Sequence, residues 1–198
     1  QKRFVPILGP DVCEHLLGSI RERALRLAEE YRFPLAPHQS TDLAKVAQYL
    51  SVDESPIEAR DAVLRQFHRE ALRRASGLSE EELQLSLGKL LDVLSERQLH
   101  ADSVPTPIRV LVDLAAPLYV NAGLDPLLFK ALKASGRSPE LLASDWHPTA
   151  ENHPTEPVSV DPSAQEPVIY HPFGVFGRWE SLVLTEDDFL DFLIASST

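Results

Sequence analysis

The chain has 198 residues, 43% of them hydrophobic and 25% charged, enough apolar matter for an ordinary core and not the composition of a disordered chain. Thirty Asp and Glu against nineteen Lys and Arg leave a net charge of -11, which opposes nonspecific attachment to nucleic acid or an anionic membrane surface, since both need a basic footprint. The single cysteine, Cys13, excludes an internal disulfide and a cysteine-cluster metal site; no apolar run approaches the about 20 residues of a membrane helix and no signal-peptide core opens the chain, so a cytoplasmic setting is expected.

Phe4–Leu8 is a short apolar run that meets Gly9-Pro10-Asp11, the pattern of a buried strand entering a loop. Ile20, Ala24, Leu27, Ala28 and Tyr31 then recur at helical spacing, predicting a helix over about Val12–Tyr31. Strand, glycine-containing turn and helix in that order form the unit that commonly holds nucleotide phosphates in open α/β sheets. From about residue 40 to 116 the sequence reads as a helical module inserted between strands. Leu43, Val46, Ala47 and Leu50 make one stripe, and Ser55-Pro56-Ile57-Glu58 starts a helix carrying Leu64, Phe67 and Ala71. Ser79 and Glu80–Glu82 repeat the capping pattern ahead of Leu83, Leu87, Leu90, Leu91 and Leu94, with the three carboxylates read as cap and solvated face. Pro105 and Pro107 precede a short helix through Ile108, Leu111 and Val112.

Leu118–Asn121 is the second strand expected, followed by a turn at Ala122–Asp125 and a helix through Leu127, Leu128, Ala131 and Leu132 ending near Gly136. Ser138-Pro139-Glu140 starts another turn of helix. The segment about 147–167 is rich in proline and polar residues and is expected to lack regular structure. Val168–Tyr170 is a third strand, ending at His171-Pro172-Phe173-Gly174, and Ser181–Leu184 a candidate fourth. Thr185–Asp188 caps a last helix with Phe189, Phe192 and Leu193 on its apolar face. Strands separated by helices imply parallel pairing with right-handed crossovers, so the chain is expected to be one α/β domain over 1–198, a Rossmann-like, mostly parallel sheet with a helical insertion.

In such a sheet a ligand belongs at the carboxyl ends of the strands. The loops there carry Gly9, Pro10, Asp11 and Val12; Asn121, Gly123 and Asp125; and His171 and Gly174. Glycines, an amide, carboxylates and an imidazole are the groups a nucleotide pocket asks for.

These loops resemble the sirtuin-like domains of the silent information regulator 2 family, in the bacterial branch tied to defence and signalling. Phe4–Val12 is similar to that branch's strand and glycine loop. Tyr119–Leu128 is similar to its Tyr-Val-Thr-Thr-Asn-x-Asp-x-Leu-Leu strand. Val168–Gly174 followed by Ser181–Phe189 resembles its Val-Tyr-His-Leu-His/Phe-Gly…Ser-Leu-Val-Leu-Thr-Glu-Asp-Asp-Tyr segment. The resemblance implies binding of NAD or an ADP-ribose-like nucleotide, with an Asn orienting the nicotinamide ribose and a His as base for glycosidic cleavage. Those two positions fall on Gly123 and Phe173, neither of which supplies the chemistry. Asp11 stands where the family has the second glycine of its phosphate loop; its charge would repel a pyrophosphate and its Cβ would crowd the approach. Family members usually continue past the Thr-Glu-Asp-Asp helix into a further strand that helps hold the adenosine half, and this sequence stops at Thr198.

The resemblance therefore implies a degenerate domain, inactive as an enzyme, that senses a nucleotide or NAD-derived ligand or binds flanking domains, partner proteins or further copies of itself. The alternatives are an NAD hydrolase using the shifted pair Asn121 and His171, and a pure scaffold. The shifted pair would sit about 7 Å from the family positions along each strand; otherwise Asn121 caps a strand end and His171 makes an ordinary hydrogen bond. A deacylase is least expected, since the cysteines of a zinc module are missing. His147, Glu151 and His153 in an irregular loop do not make a metal site, and Cys13 reads as a small buried thiol, although a nearby helix start could lower its pKa.

Overall fold

The computed structural model describes residues 4–34, 36, 38–100, 105–144, 146 and 161–197. In chain order they form β1 (Ile7–Leu8), α1 (Glu14–Leu17), α2 (Ile20–Glu30), α3 (Leu43–Asp53), α4 (Pro56–Arg74), α5 (Leu87–Leu99), α6 (Pro107–Leu114), β2 (Leu118–Asn121), α7 (Leu127–Ala134), β3 (Glu140–Ala143), β4 (Val168–His171) and α8 (Glu186–Ser196). The strands make one sheet in the order β1-β2-β4-β3, and every neighbouring pair is parallel. The architecture is α/β and Rossmann-like, as the alternation of strands and helices predicts.

Contacts divide the chain into two compact units. The first gathers Gln1–Val12, Leu91–Leu182 and Asp191–Thr198, and so contains the whole sheet with α6 and α7. Its core is built on Tyr119 and Ile169 from the middle strands, with Ile108 of α6 and Leu127, Leu128 and Leu132 of α7, all buried. The Tyr119 hydroxyl is satisfied twice, donating to the Leu111 carbonyl at 2.8 Å and accepting from the Ala116 N–H at 3.1 Å, which removes the cost of burying it.

The second unit comprises Cys13–Leu90 and Val183–Leu190. Here Ala24 and Leu27 of α2, Val46, Ala47 and Leu50 of α3, and Ala62, Val63 and Phe67 of α4 form the buried stripes. Small residues on these faces let the helices approach closely, and caps define their starts. Ser19 and Glu22 form a complete capping box, Asp42 accepts from two N–H groups of α3, and Ser55 accepts from Glu58.

Several local expectations are corrected. The helix expected over Val12–Tyr31 is two, broken at Gly18, whose φ of 72° lies in the left-handed region that glycine tolerates. The strand at Phe4–Leu8 is reduced to Ile7–Leu8 at the edge of the sheet and is only half buried, Leu8 in the core but Ile7 79% exposed, and Pro6 has no N–H for a ladder. Ser138-Pro139-Glu140 begins no helix, because Glu140–Ala143 pairs along β4 as the fourth strand. Ser181–Leu184 is not a strand: a 3-10 turn at Trp179–Ser181 precedes irregular chain. Ser79 and Glu82 do hydrogen-bond reciprocally, but they cap only a 3-10 turn at Glu82–Gln84, and α5 starts later. Of the proline-rich segment, 147–160 lies outside the described residues, while 161–167 has no regular structure. No helix of the described residues is long and apolar enough to cross a membrane.

Candidate functional site

Parallel pairing brings all four strand ends to one edge. Leu8 is opposite Asn121, Val120 is opposite Tyr170, and Ala143 is opposite His171. Continuing the β2–β4 register by one residue sets Asn121 beside His171. Both are buried, at 6% and 0% exposure.

The two side chains meet on the backbone of Gly123. Its N–H donates to Asn121 Oδ1 at 2.9 Å, closing a turn of the kind Asn favours. Its carbonyl oxygen lies 2.8 Å from His171 Nδ1. A carbonyl can only accept, so Nδ1 carries the proton and, in the neutral ring, Nε2 is the bare acceptor. Burial pushes the His171 pKa down; the Gly123 carbonyl opposes that, and the positive charge of Arg178 adds to it. The imidazole is thus held neutral, with Nε2 buried and without a hydrogen-bond partner. A buried acceptor left unmet is uncommon in folded proteins and directs attention to what could donate to it.

Asp125 completes this corner. It is 5% exposed, and its Oδ1 accepts from Leu127 N–H at 3.2 Å at the start of α7. A Cβ placed on Gly123 would lie 3.0 Å from Asn121 Oδ1, 3.2 Å from Asp125 Oδ2 and 3.7 Å from Pro10 Cα. The loops after β1 and β2 therefore converge on a glycine that has little room for a side chain. Asn121, Gly123, Asp125, His171 and Pro10 are brought together.

The remaining candidates divide. Gly9, Pro10 and Asp11 form an exposed turn, closed by a Val12 N–H to Gly9 carbonyl bond of 3.4 Å, and a Cβ on Gly9 would meet nothing within 4 Å. Phe173 is half-buried and packs edge-on against Phe192 of α8, with centroids 5.4 Å apart at 66°. Gly174 has a structural duty: its φ is 84°, and a Cβ there would collide with the Ser181 carbonyl. Cys13 is buried and forms no disulfide. His147, Glu151 and His153 lie outside the described residues, and among the described ones no group of three or more His, Cys, Asp or Glu could hold a metal.

Sequence reasoning missed the segment Gly177–Ser181, which lines a hollow beyond the β3 end with Ala143 and Ser144. The available signal was Arg178-Trp179, a cation and a large aromatic adjacent in a turn.

Residues 117–198 match the family model of the SIR2-like domain. The match spans somewhat less than half of the chain and takes in β2, β4, their loops and α8; the Gly9 loop lies outside it. That family generally binds NAD-related ligands. No curated protein matches the chain.

Proposed function

Starting from a chain that is sirtuin-like over residues 117–198, we propose that it is a nucleotide-sensing module that no longer cleaves NAD, serving within a defence or signalling protein. The observation that carries this reading is the pair Gly123 and Phe173. At the position of the family's His stands a benzyl ring packed on Phe192, which can neither take nor give a proton. At the position of its Asn stands a glycine whose missing side chain leaves Asn121 and Asp125 oxygens within contact distance of any Cβ. Installing the family's group there would press on Asn121 Oδ1, which accepts from the Gly123 N–H, and on Oδ2 of an Asp125 carboxylate whose Oδ1 accepts from Leu127 N–H.

NAD fits these residues in part. The unmet Nε2 of His171 suits a ligand that donates, such as a hydroxyl or an amide N–H. The cleavage chemistry does not fit, and Asp11 sets a carboxylate on the exposed turn where a pyrophosphate would need backbone N–H groups. Recognition survives in this arrangement better than catalysis.

One observation favours a second reading, an NAD hydrolase built on Asn121 and His171. The two are adjacent in register and share the Gly123 peptide. Nicotinamide release from NAD separates the readings. We expect none above the protein-free rate, with calorimetry detecting weak binding of ADP-ribose that Asp11→Gly strengthens. Turnover abolished in a folded Asn121→Ala variant would overturn the sensing module and establish the hydrolase.

A further inference from the structure

A hollow of about 430 Å3 lies at the carboxyl end of β3, lined among others by Ser144, Gly177, Arg178, Trp179, Glu180 and Ser181. Its volume is within the range of about 300–1,000 Å3 usual for small-molecule sites, and strand ends are where α/β sheets hold ligands. It is built by a different loop from the one bearing Gly123, and the inference does not depend on the sensing reading.

The loop that forms it is held firmly. Val175 and Arg178 pair as an isolated antiparallel bridge. The Ser181 hydroxyl donates to the Arg178 carbonyl at 2.6 Å and accepts from Val175 N–H at 3.3 Å. Beneath it the buried Trp146 donates its indole N–H to the Ser181 carbonyl at 2.9 Å. Gly174 is packed so closely on Ser181 that no side chain fits. This fixed frame holds Trp179 58% exposed at the hollow. Trp179 thus brings to the hollow an amphipathic ring of the kind enriched where proteins meet their ligands and partners.

Arg178 supplies the second element. It forms no ion pair among the described residues, although the chain carries an excess of eleven negative charges. An unpaired guanidinium beside an indole offers a planar donor fork for a phosphate next to a flat apolar face for a ring. Glu180 on the rim can accept from hydroxyls between the two.

We propose that this hollow binds a mononucleotide, with Trp179 stacked on the base and Arg178 on the phosphate. Trp179 and Arg178 are both exposed, so substituting them should leave the fold intact. The chain has two tryptophans, and Trp146 is only 4% exposed, so quenching of the exposed indole reports occupancy. AMP is the probe, with adenosine lacking the phosphate and ribose 5-phosphate lacking the base. AMP should quench fluorescence saturably and release heat in calorimetry. Trp179→Ala should weaken AMP at least tenfold, and Arg178→Gln should weaken AMP at least tenfold while changing adenosine little. Absence of saturable AMP binding at millimolar concentration, or equal affinity in Trp179→Ala, would overturn the proposal. Affinity lost in Asn121→Ala but kept in Trp179→Ala would place AMP at the Gly123 corner, overturning this site while supporting the sensing reading.

Discussion

His171 Nδ1 lies 2.8 Å from the carbonyl oxygen of Gly123, a residue forty-eight positions earlier in the chain. The same Gly123 peptide donates its N–H to Asn121. One backbone unit therefore fixes the tautomer of an imidazole and the orientation of an amide. His171 is a fully buried ring whose charged form is disfavoured, chiefly by burial.

That disfavour has a sign in stability. Unfolded, the His171 ring takes up a proton near its ordinary value of 6.5; folded, it resists protonation to lower pH. Below about pH 6.5 the unfolded chain binds more protons than the folded one, so stability falls as pH drops through this window, by at most about 1.4 kcal/mol per pH unit for one site. His171→Asn should be less stable than the parent at pH 7.5 but show a shallower decline between pH 6.5 and 5.5. Urea melts at a series of pH values measure it; parallel declines in the two proteins would contradict the buried neutral ring.

The second titration belongs to Glu70 of α4, whose side chain is 2% exposed. Arg26 reaches it at 2.8 Å, Arg73 at 2.6 Å and Arg74 at 3.1 Å. Burial alone would raise its pKa, but hydrogen bonds from Arg73 and Arg74 and the charges of Arg26 and Arg73 more than offset this and hold it below the carboxylate range. The stabilisation is therefore complete above about pH 4.5 and lost as pH falls below it. The arginines are 24% to 49% exposed and can resolvate, so Glu70→Gln should cost about 2–3 kcal/mol at pH 7, and the gap should close in acid. A difference in urea midpoint that persists undiminished at pH 3.5 would refute this account.

Two glycines in one loop separate backbone strain from crowding. Gly174 and Gly177 have φ of 84° and 96°. A Cβ on Gly177 would meet nothing within 4 Å, whereas on Gly174 it would strike the Ser181 backbone, with Leu182 N at 2.7 Å. Gly177→Ala should cost about 1–2 kcal/mol from conformation alone. Gly174→Ala, which adds the collision, should cost roughly 3–5 kcal/mol. Thermal melts of the two variants should rank in that order, and similar melting temperatures would argue against the packed loop.

Much of this was legible in the chain. Helical spacing marked α3, α4 and α7, and the apolar runs before Asn121 and His171 marked the middle strands, because those elements are set by local periodicity. The break at Gly18 was also written locally, in the Ser19–Glu22 capping box, but the apolar spacing on either side obscures it. Glu140–Ala143 was not legible: Ser-Pro-Glu ahead of two leucines satisfies helix rules, and only pairing with β4 draws it into the sheet. Nor could spacing reveal that Gly123 joins Asn121 to His171, that Arg74 reaches back fifty-two residues to Glu22, or that Arg178 and Trp179 share a hollow. Those are products of register and long-range packing.

The corner at Gly123 can be tested by adding the atom it lacks. A methyl group there would press on Asn121 Oδ1 at 3.0 Å and Asp125 Oδ2 at 3.2 Å. Neither oxygen moves freely, since Asn121 accepts from the Gly123 N–H and the Asp125 carboxylate is tied to Leu127. Gly123→Ala should therefore destabilise by about 1–3 kcal/mol, although alanine ordinarily stiffens an unfolded chain favourably. Asn121→Ala should cost about 1–2 kcal/mol through the lost turn bond. If the two oxygens are what crowd the methyl, removing one relieves it, and the double variant should be more stable than the sum of the singles predicts by at least about 0.5 kcal/mol. Strict additivity in urea denaturation would mean that the Asn121 side chain does not hold this corner, and both readings of the site that rest on it would lose their geometric footing.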